Sequence, residues 1–313
     1  MSFAIRTLNF EQFLMIAGDK ESLDLFWEVP FPNYGHEKLL RLFHQFCLVG
    51  GIPDVVELFA VTRSVPQLAP IYDKQLERLF TKASSIAFTQ KTRERLVQIY
   101  QDTFPYAATR IKYSGFSNMK YRSREVGRAF RLLHEHALIQ LIYPTNHTGL
   151  PWKIDTGRSP RIQLPDTGLV SFFNGIQEVL VDQEDLSAVF NRQISLHVVA
   201  QELIASEKVE QPAVHFWVRD KTQSSAEVDF VIAHNDLIIP VEVKPGEPGR
   251  LRSLHQFVDE APHPYAVRLY AGPLAVKETK TIRGKTFYLM SLPYFLAGKI
   301  REHLEGFMKF VKS

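Results

Sequence analysis

The first half of the chain repeats apolar residues at helical spacing, and its prolines and glycines separate one helical segment from the next. Helices are predicted over residues 10–15, 38–49 and 54–61. The run Gly50-Gly51-Ile52-Pro53 predicts a firm end to the second of these helices, because glycine readily takes the left-handed conformation that closes a helix and proline cannot donate the next backbone hydrogen bond. Residues 1 to about 85 are therefore predicted to be mostly helical.

Two more helices are predicted between residues 92 and 144, and the second of them has two distinct faces. It is predicted to begin at Ser123, a good N-cap residue. Its apolar stripe consists of Val126, Phe130, Leu133 and Ala137. The basic residues on another face, or just before the helix, are Lys120, Arg122, Arg124, Arg128 and Arg131. With the extended segment 139–143 behind it, this helix has the layout of a recognition helix and wing, whose arginines contact phosphates and base edges. The alternative is a solvated basic face without a partner.

Short segments rich in β-branched and aromatic residues dominate the second half, which is predicted to begin near residue 160 after a loop rich in Pro, Gly and Asn. The predicted strands are residues 214–218, 227–233, 237–243, 265–270 and 286–290. A hairpin turn at His234-Asn235-Asp236 joins the second strand to the third. One helix is predicted over residues 194–206. A final helix is predicted to carry the apolar stripe Leu292, Leu296, Ile300, Leu304, Phe307 and Val311.

Composition limits the class of protein without choosing a function. The 313 residues are 45% hydrophobic and 23% charged, which is typical of a folded chain of two or three domains. The net charge of +3 is too small to identify a nucleic-acid-binding protein by itself. Cys47 is the single cysteine, so no disulfide can form within the chain. No segment has the length of a membrane span or the pattern of a secretion signal, and we expect a cytoplasmic protein without a membrane partner.

Candidate chemistry is concentrated in the two strands that the predicted hairpin joins. Because alternate residues of a strand share a face, Glu227 is expected beside Asp229, and Glu242 beside Lys244. The residues expected on the opposite, core face are Val228, Phe230, Val241 and Val243. Where the polar faces meet, carboxylates can hold a divalent cation and a lysine can stabilise charge on a phosphate, which is the chemistry of phosphodiester hydrolysis. The alternative is a solvated face with surface ion pairs of small energetic effect.

Several motifs in a specific order resemble a prokaryotic family of AAA-class P-loop ATPases that carry a C-terminal region of uncharacterised function. The resemblance covers nearly the whole chain. The motifs are residues 8–14 (LNFEQFL), 50–53 (GGIP), 166–169 (DTGL), 201–203 (QEL), 226–230 (AEVDF), 239–244 (IPVEVK) and 253–257 (SLHQF). The resemblance implies a winged helix followed by a PD-(D/E)XK, restriction-endonuclease-like domain.

The expected fold is α+β, with a helical N-terminal half that includes the winged helix and a nuclease-like α/β domain on a mixed central sheet. The expected divisions are residues 1–90, a helical remnant or lid region of the ATPase family, residues 91–160, the winged-helix-like domain, and residues 161–313, the nuclease-like domain.

The sequence departs from this family at two points. The ATP-binding core of the family would precede Met1, and no ATP is expected to bind, because Gly284-Lys285-Thr286 has Thr279 where a phosphate-binding loop needs its first glycine. The glutamate that the family contributes to the metal site from the preceding helix is Leu196 here. The metal ligands that the resemblance still implies are Asp229, Glu242 and the carbonyl of Val243, which would hold Mg²⁺ with additional waters.

Three functional hypotheses follow and stay open at this point. The leading one is a nucleic-acid-associated module without its own ATP-binding site, whose nuclease-like domain is degenerate. The second is a Mg²⁺-dependent deoxyribonuclease with Asp229, Glu242, Lys244 and Glu227 as catalytic residues. The third is an assembly or regulatory protein that pairs with itself or with a full-length ATPase relative.

Overall fold

The computed structural model describes residues 7–151, 153–180, 191–206, 214–220, 226–244 and 251–312. Within these residues, the N-terminal half is helical and the C-terminal half is built on a mixed β-sheet. The α+β class predicted from the sequence is therefore confirmed.

The described helices up to residue 180 include those that the apolar periodicity of the sequence predicts for the N-terminal half. They are α1 (Phe10–Ala17), α2 (Lys20–Trp27), α3 (His36–Val49), α4 (Pro53–Thr62), α5 (Ala69–Ser85), α6 (Gln90–Gln101), α7 (Ser123–Glu135), α8 (Thr167–Phe173) and α9 (Ile176–Leu180). Helices α1, α3 and α4 confirm the three predicted first, with slightly longer ends. Gly50 ends α3 with a φ of 68°, as predicted, and a Cβ at this position would overlap the carboxylate of Asp166.

An aromatic cluster holds the first helices together. The ring of Phe10 lies 5.6 Å from that of Phe26, 4.9 Å from that of Phe43 and 5.6 Å from that of Phe46. All four rings are buried, and burying one such side chain contributes roughly 1.5–3 kcal/mol. Helix α1 is thereby fixed against α2 and α3.

The same core continues into the C-terminal half. The ring of Tyr294 lies 5.5 Å from that of Phe43, and its hydroxyl is 2.6 Å from Nε2 of His44. One cluster of buried apolar residues runs from Phe10 to Met308. The two halves of the described chain therefore share a core.

The strands of the described residues form one large sheet and one small one. They are β1 (Gln140–Ile142), β2 (Pro144–Thr145), β3 (Arg161–Gln163), β4 (His215–Val218), β5 (Glu227–His234), β6 (Leu237–Lys244), β7 (Tyr265–Tyr270), β8 (Ala275–Lys280) and β9 (Thr286–Pro293). The large sheet has the order β2-β4-β5-β6-β7-β9-β8, and β1 pairs with β3 in the small one. Strands β4, β5 and β6 are antiparallel, whereas β7 runs parallel to both β6 and β9.

Helices cover both faces of the large sheet. The C-terminal helices are α10 (Arg192–Ser206), α11 (Arg252–Glu260) and α12 (Ile300–Lys312). Phe230 and Val241 pack in the main core on the side of α10, whereas Val231 and Ile238 pack with Phe257 of α11 in a second cluster. Since neighbouring residues of a strand point to opposite faces, α10 and α11 lie on opposite sides of the sheet.

The hairpin between β5 and β6 was predicted correctly, including its turn. Asn235 and Asp236 have φ angles of 47° and 58°, and His234 pairs directly with Leu237. Two successive positive φ angles in a two-residue loop suit the right-handed twist of the flanking strands. The turn fixes the register of the two strands that carry the candidate chemistry.

Two other details of the C-terminal half differ from the prediction. Leu292 belongs to β9 and Leu296 to a 3-10 turn (Tyr294–Lys299), so α12 begins only at Ile300. Pro293 ends the strand, and the helical spacing of the leucines across it is accidental. Strand β8 was not predicted, because it lies at the edge of the sheet, where most of its residues are exposed and half of them are charged.

No helix in the described part of the chain combines the length and the apolar character that a membrane span requires.

Candidate functional site

A bulge in β5 places Asp229 at the centre of the candidate site. His215 of β4 pairs with Val231, but Trp217 pairs with Val228, so β5 uses one residue more than β4 over this stretch. The bulge shifts the alternation of side chains, and Val228 packs with the α11 cluster rather than with Phe230. The expectation that Val228 shares a face with Phe230, Val241 and Val243 is therefore wrong.

Asp229 is 1% exposed and its carboxylate is fully engaged. Oδ2 accepts the backbone N–H of Val243 at 2.8 Å. The guanidinium of Arg192, the first residue of α10, donates from Nη2 to Oδ1 at 2.5 Å and from Nη1 to Oδ2 at 3.0 Å. Nη1 also donates to the carbonyl of Val243 at 2.7 Å. This two-pronged geometry is the strongest form of a charge-assisted hydrogen bond.

Glu227 is held by two further arginines. Arg161 of β3 donates from Nη2 to Oε1 of Glu227, and its Nη1 donates to the backbone carbonyl of Asp229 at 2.6 Å. Arg110 donates to Oε2 of Glu227 at 3.1 Å. The guanidinium of Arg161 also lies over the ring of Phe216, 4.5 Å from its centroid. The contact between Glu227 of β5 and Arg161 of β3 therefore joins the large sheet to the small one.

Glu242 and Lys244 lie next to each other on β6. Nζ of Lys244 is 2.9 Å from Oε1 of Glu242, whereas the buried Oε2 has no hydrogen-bond partner among the described residues. Burial, together with the negative charge of Asp229, raises the pKa of the Glu242 carboxyl to about 7. Its proton occupancy therefore changes close to neutral pH.

Arg192 lies close enough to the carboxylates of Asp229, Glu242 and Glu227 for their charges to shift the pKa of its guanidinium. Burial lowers the pKa of its guanidinium, but the negative charges of Asp229, Glu242 and Glu227 outweigh burial, and the net shift is upward. The four residues predicted as catalytic thus lie near one another. Sequence reasoning missed Arg192 and Arg161, which are 37 and 68 residues from Asp229 along the chain.

The residues as arranged do not fit a magnesium ion. Both carboxylate oxygens of Asp229 and the carbonyl of Val243, three oxygens of the expected ligand set, already accept hydrogen bonds from Arg192. Leu196 lies one turn after Arg192 on α10, where it is buried and supplies no ligand. Over the described residues, no group of three or more His, Cys, Asp or Glu side chains is placed to hold a metal ion. Magnesium binding stays a prediction.

The basic face of α7 is the second candidate site. Lys120, Arg122, Arg124, Arg128 and Arg131 are all exposed. None of these five side chains forms an ion pair with an acidic residue of the described chain. The opposite face of the helix is buried through Val126, Phe130 and Leu133. The N-cap is Arg122 rather than Ser123, and the carboxylate of Glu125 accepts the Arg122 N–H at 3.1 Å.

A cleft lies beside this basic face. Its lining includes Arg124, Glu125 and Arg128 of α7, Arg95 of α6 and Thr89, the N-cap of α6. Phe88 also lines it and is 98% exposed. Exposure of a single aromatic side chain is common on protein surfaces, but Phe88 lies in one cleft with Arg124 and Arg128, whereas Arg95 is paired there with Glu125 at 2.7 Å.

Two regions of the chain match families of uncharacterised proteins. Residues 197–295 match a domain of unknown function, DUF4143. Residues 40–179 match another domain of unknown function, DUF8612. DUF4143 is known to occur with AAA ATPases, and the matched residues include Asp229, Glu242 and Lys244. No curated protein and no solved structure matches the chain.

Proposed function

We propose that this protein is a nucleic-acid-associated module of the kind that accompanies AAA-class ATPases, and that it binds DNA through the basic face of α7. The observation that carries the proposal is the exposure of five cations on and just before a helix whose other face is packed in the core. Cations that form no ion pair within the described chain are available to phosphates, and binding releases the counterions of the DNA.

The elements around α7 support a winged-helix arrangement. Helix α6 packs against α7, and strand β1, which follows α7, pairs with β3. In such an arrangement the second helix enters the major groove and the strands behind it lie against the backbone. The arginines at Arg124, Arg128 and Arg131 would then contact phosphates and base edges.

The cleft around Phe88 adds a surface for an unpaired base. Aromatic side chains stack on bases of any sequence, and each stacked base contributes about 1–3 kcal/mol. Arg124 and Arg128 line the same cleft and would hold the adjoining phosphates. This combination favours DNA with a single-stranded portion, such as a fork or an end.

The C-terminal half supports a nuclease-like domain that serves as a scaffold. Its elements follow the order α10, β4, β5, β6, α11 and β7, which resembles the core of PD-(D/E)XK proteins, with Asp229 on the second strand and Glu242 and Lys244 on the third. Since Arg192 engages Asp229 and the Val243 carbonyl, we propose that this domain positions the module and does not cleave DNA.

The test compares two triple variants that remove the same number of charges. Arg124→Ala/Arg128→Ala/Arg131→Ala removes cations of α7, and Lys74→Ala/Arg78→Ala/Lys82→Ala removes three exposed cations spaced one turn apart on α5. Fluorescence anisotropy with labelled forked DNA over a range of salt concentrations measures the affinity. The α7 variant is expected to bind more weakly, and its salt slope should fall by about three, one for each lost phosphate contact. Equal affinities for the two variants would contradict the proposal.

A second candidate, assembly with another copy or with a full-length ATPase relative, is favoured by an apolar groove. Val29, Val276 and Phe310 line it, and all three are substantially exposed. The groove lies beside β8, the edge of the large sheet. Light scattering over a wide range of protein concentration measures the mass. If the groove mediates self-association, Val276→Asp is expected to give a monomer where the unchanged protein gives a dimer.

A further inference from the structure

We infer that the guanidinium of Arg192 takes the place of the divalent cation in the site around Asp229, and that removing this side chain opens a cation-binding site. The inference concerns the C-terminal half, and it deepens the proposed loss of cleavage. It does not depend on DNA binding by α7. Three features of the site support it: the contacts of Arg192, the apolar Leu196 one helical turn away, and the pairing of the nearby carboxylates with cations.

The contacts of Arg192 are with the oxygens that a hard cation would use. Its N–H groups lie 2.5 Å and 3.0 Å from the two oxygens of Asp229 and 2.7 Å from the carbonyl of Val243. Divalent magnesium and manganese bind carboxylate and carbonyl oxygens in proteins. A metal ion and this guanidinium therefore compete for the same oxygens.

Helix α10 supplies a cation where a metal site needs a ligand. Arg192 and Leu196 are four residues apart on α10 and therefore lie on the same side of the helix. A carboxylate on this side would add a ligand to the site, but Leu196 is apolar and buried. The helix instead contributes the positive charge of Arg192 directly, and the site needs no ion to balance Asp229.

The charges around the site leave no surplus of carboxylate to attract a divalent ion. Glu227 is paired with Arg110 and Arg161, Asp229 with Arg192 and, at 3.6 Å, with Arg161, and Glu242 with Lys244. Three carboxylates thus face four cations of the described chain. Removing Arg192 leaves Asp229 without its main partner and Glu242 nearby, which is the arrangement that draws in a cation.

Arg192 also lies where an ion could enter. Its side chain is 51% exposed, so the guanidinium closes the site from the solvent side. A shorter side chain would leave a position open to water, and magnesium and manganese keep several waters when they bind.

The experiment titrates Mn²⁺ alone into the full chain and follows the free ion by electron paramagnetic resonance. The proteins compared are the unchanged chain, Arg192→Ala, and the double variant Arg192→Ala/Asp229→Asn. Arg192→Ala is expected to bind one Mn²⁺ roughly tenfold or more tightly than the unchanged chain, and the double variant should lose this gain. Arg192→Met, which keeps the aliphatic stem over the sheet, serves where the alanine variant fails to fold by circular dichroism.

Two results would overturn the inference. One is Mn²⁺ binding by the unchanged chain that Asp229→Asn abolishes, because the native arginine would then not exclude the ion. The other is a folded Arg192→Ala or Arg192→Met variant that gains no affinity for Mn²⁺. Cleavage of plasmid DNA by the unchanged chain with Mn²⁺, lost in Asp229→Ala, would favour the deoxyribonuclease hypothesis instead.

The Mn²⁺ measurement and the DNA-binding measurement test different parts of the protein, so their outcomes can be told apart. Anisotropy with forked DNA in the presence of a chelator reports on α7 alone, and Arg192→Ala is expected to bind DNA as the unchanged chain does. Failure of the α7 variants to lose affinity would contradict the proposed function and leave the Mn²⁺ result as it stands.

Discussion

The arginines of α7 and Arg192 at the start of α10 are the same kind of side chain in opposite settings. Arg124, Arg128 and Arg131 are exposed and have no acidic partner in the described chain, whereas Arg192 grips a carboxylate that is 1% exposed. A cation without an internal partner is free to bind a ligand. A cation bound to a buried carboxylate already donates hydrogen bonds within the fold, so the carboxylate that it binds determines its role.

The comparison predicts its largest effect on stability at Asp229. Asp229→Ala leaves Arg192 and Arg161 facing each other without their shared carboxylate and leaves the N–H of Val243 without an acceptor. Removing one partner of a buried ion pair costs about 3–5 kcal/mol. We expect a cost near the lower end of that range, because Arg192 can turn toward water. Urea unfolding followed by circular dichroism measures it.

A matched aspartate on the surface supplies the control for this prediction. Asp73 is exposed on α5, and Asp73→Ala is expected to change stability by no more than about 0.5 kcal/mol. If Asp229→Ala destabilised the protein no more than Asp73→Ala does, the ion pair between Arg192 and Asp229 would not stabilise the fold.

Glu202 is a buried carboxyl that, unlike Asp229, has no arginine paired with it in the described chain. Glu202 of α10 is 1% exposed and accepts the N–H of Phe10 at 3.0 Å, and it has no ion-pair partner among the described residues. Burial raises the pKa of its carboxyl from about 4.5 to about 8.

This raised pKa predicts how stability changes with pH. Between about pH 4.5 and pH 8 the folded chain holds a proton on Glu202 that the unfolded chain has released, so the contribution of Glu202 to stability falls as pH rises. In Glu202→Gln this fall should be absent, so the variant gains on the unchanged chain by up to a few kcal/mol from pH 5 to pH 8. Urea unfolding at both pH values measures the difference in stability between the variant and the unchanged chain, and the effects of other titrating groups cancel in this difference. A difference that is the same at pH 5 and pH 8 would contradict the raised pKa of Glu202.

The hairpin of β5 and β6 was predictable because its information is local. The alternation of residues 227–233 and 237–243 and the Asn235-Asp236 turn are contiguous in the sequence. The same is true of α1, α3 and α4, and of the two faces of α7. Patterns of this kind depend on neighbours a few residues away, so they can be recognised in a single sequence.

The setting of the candidate site was not predictable because it depends on distant contacts. Arg192 reaches Asp229 from another helix, and the bulge in β5 appears only in its pairing with β4. Arg161 was placed at a domain boundary by its sequence context, yet it binds Glu227 in the centre of the site. Tertiary pairing of this kind leaves no periodic signal along the chain.

The smallest expected effect, at Phe88, tests whether the basic face of α7 includes the cleft beside it. Phe88→Ala removes a 98% exposed ring, so stability should be unaffected, but affinity for single-stranded DNA is expected to fall about fivefold, the effect of about 1 kcal/mol from one lost base stack. Duplex DNA offers no unstacked base, so its affinity should change little. Tyr34→Ala, which removes another exposed aromatic ring, is the control, and anisotropy measures the affinities of the unchanged chain and of both variants for both kinds of DNA. An equal loss for single-stranded and duplex DNA would mean that Phe88 acts by shaping α7 rather than by stacking on a base.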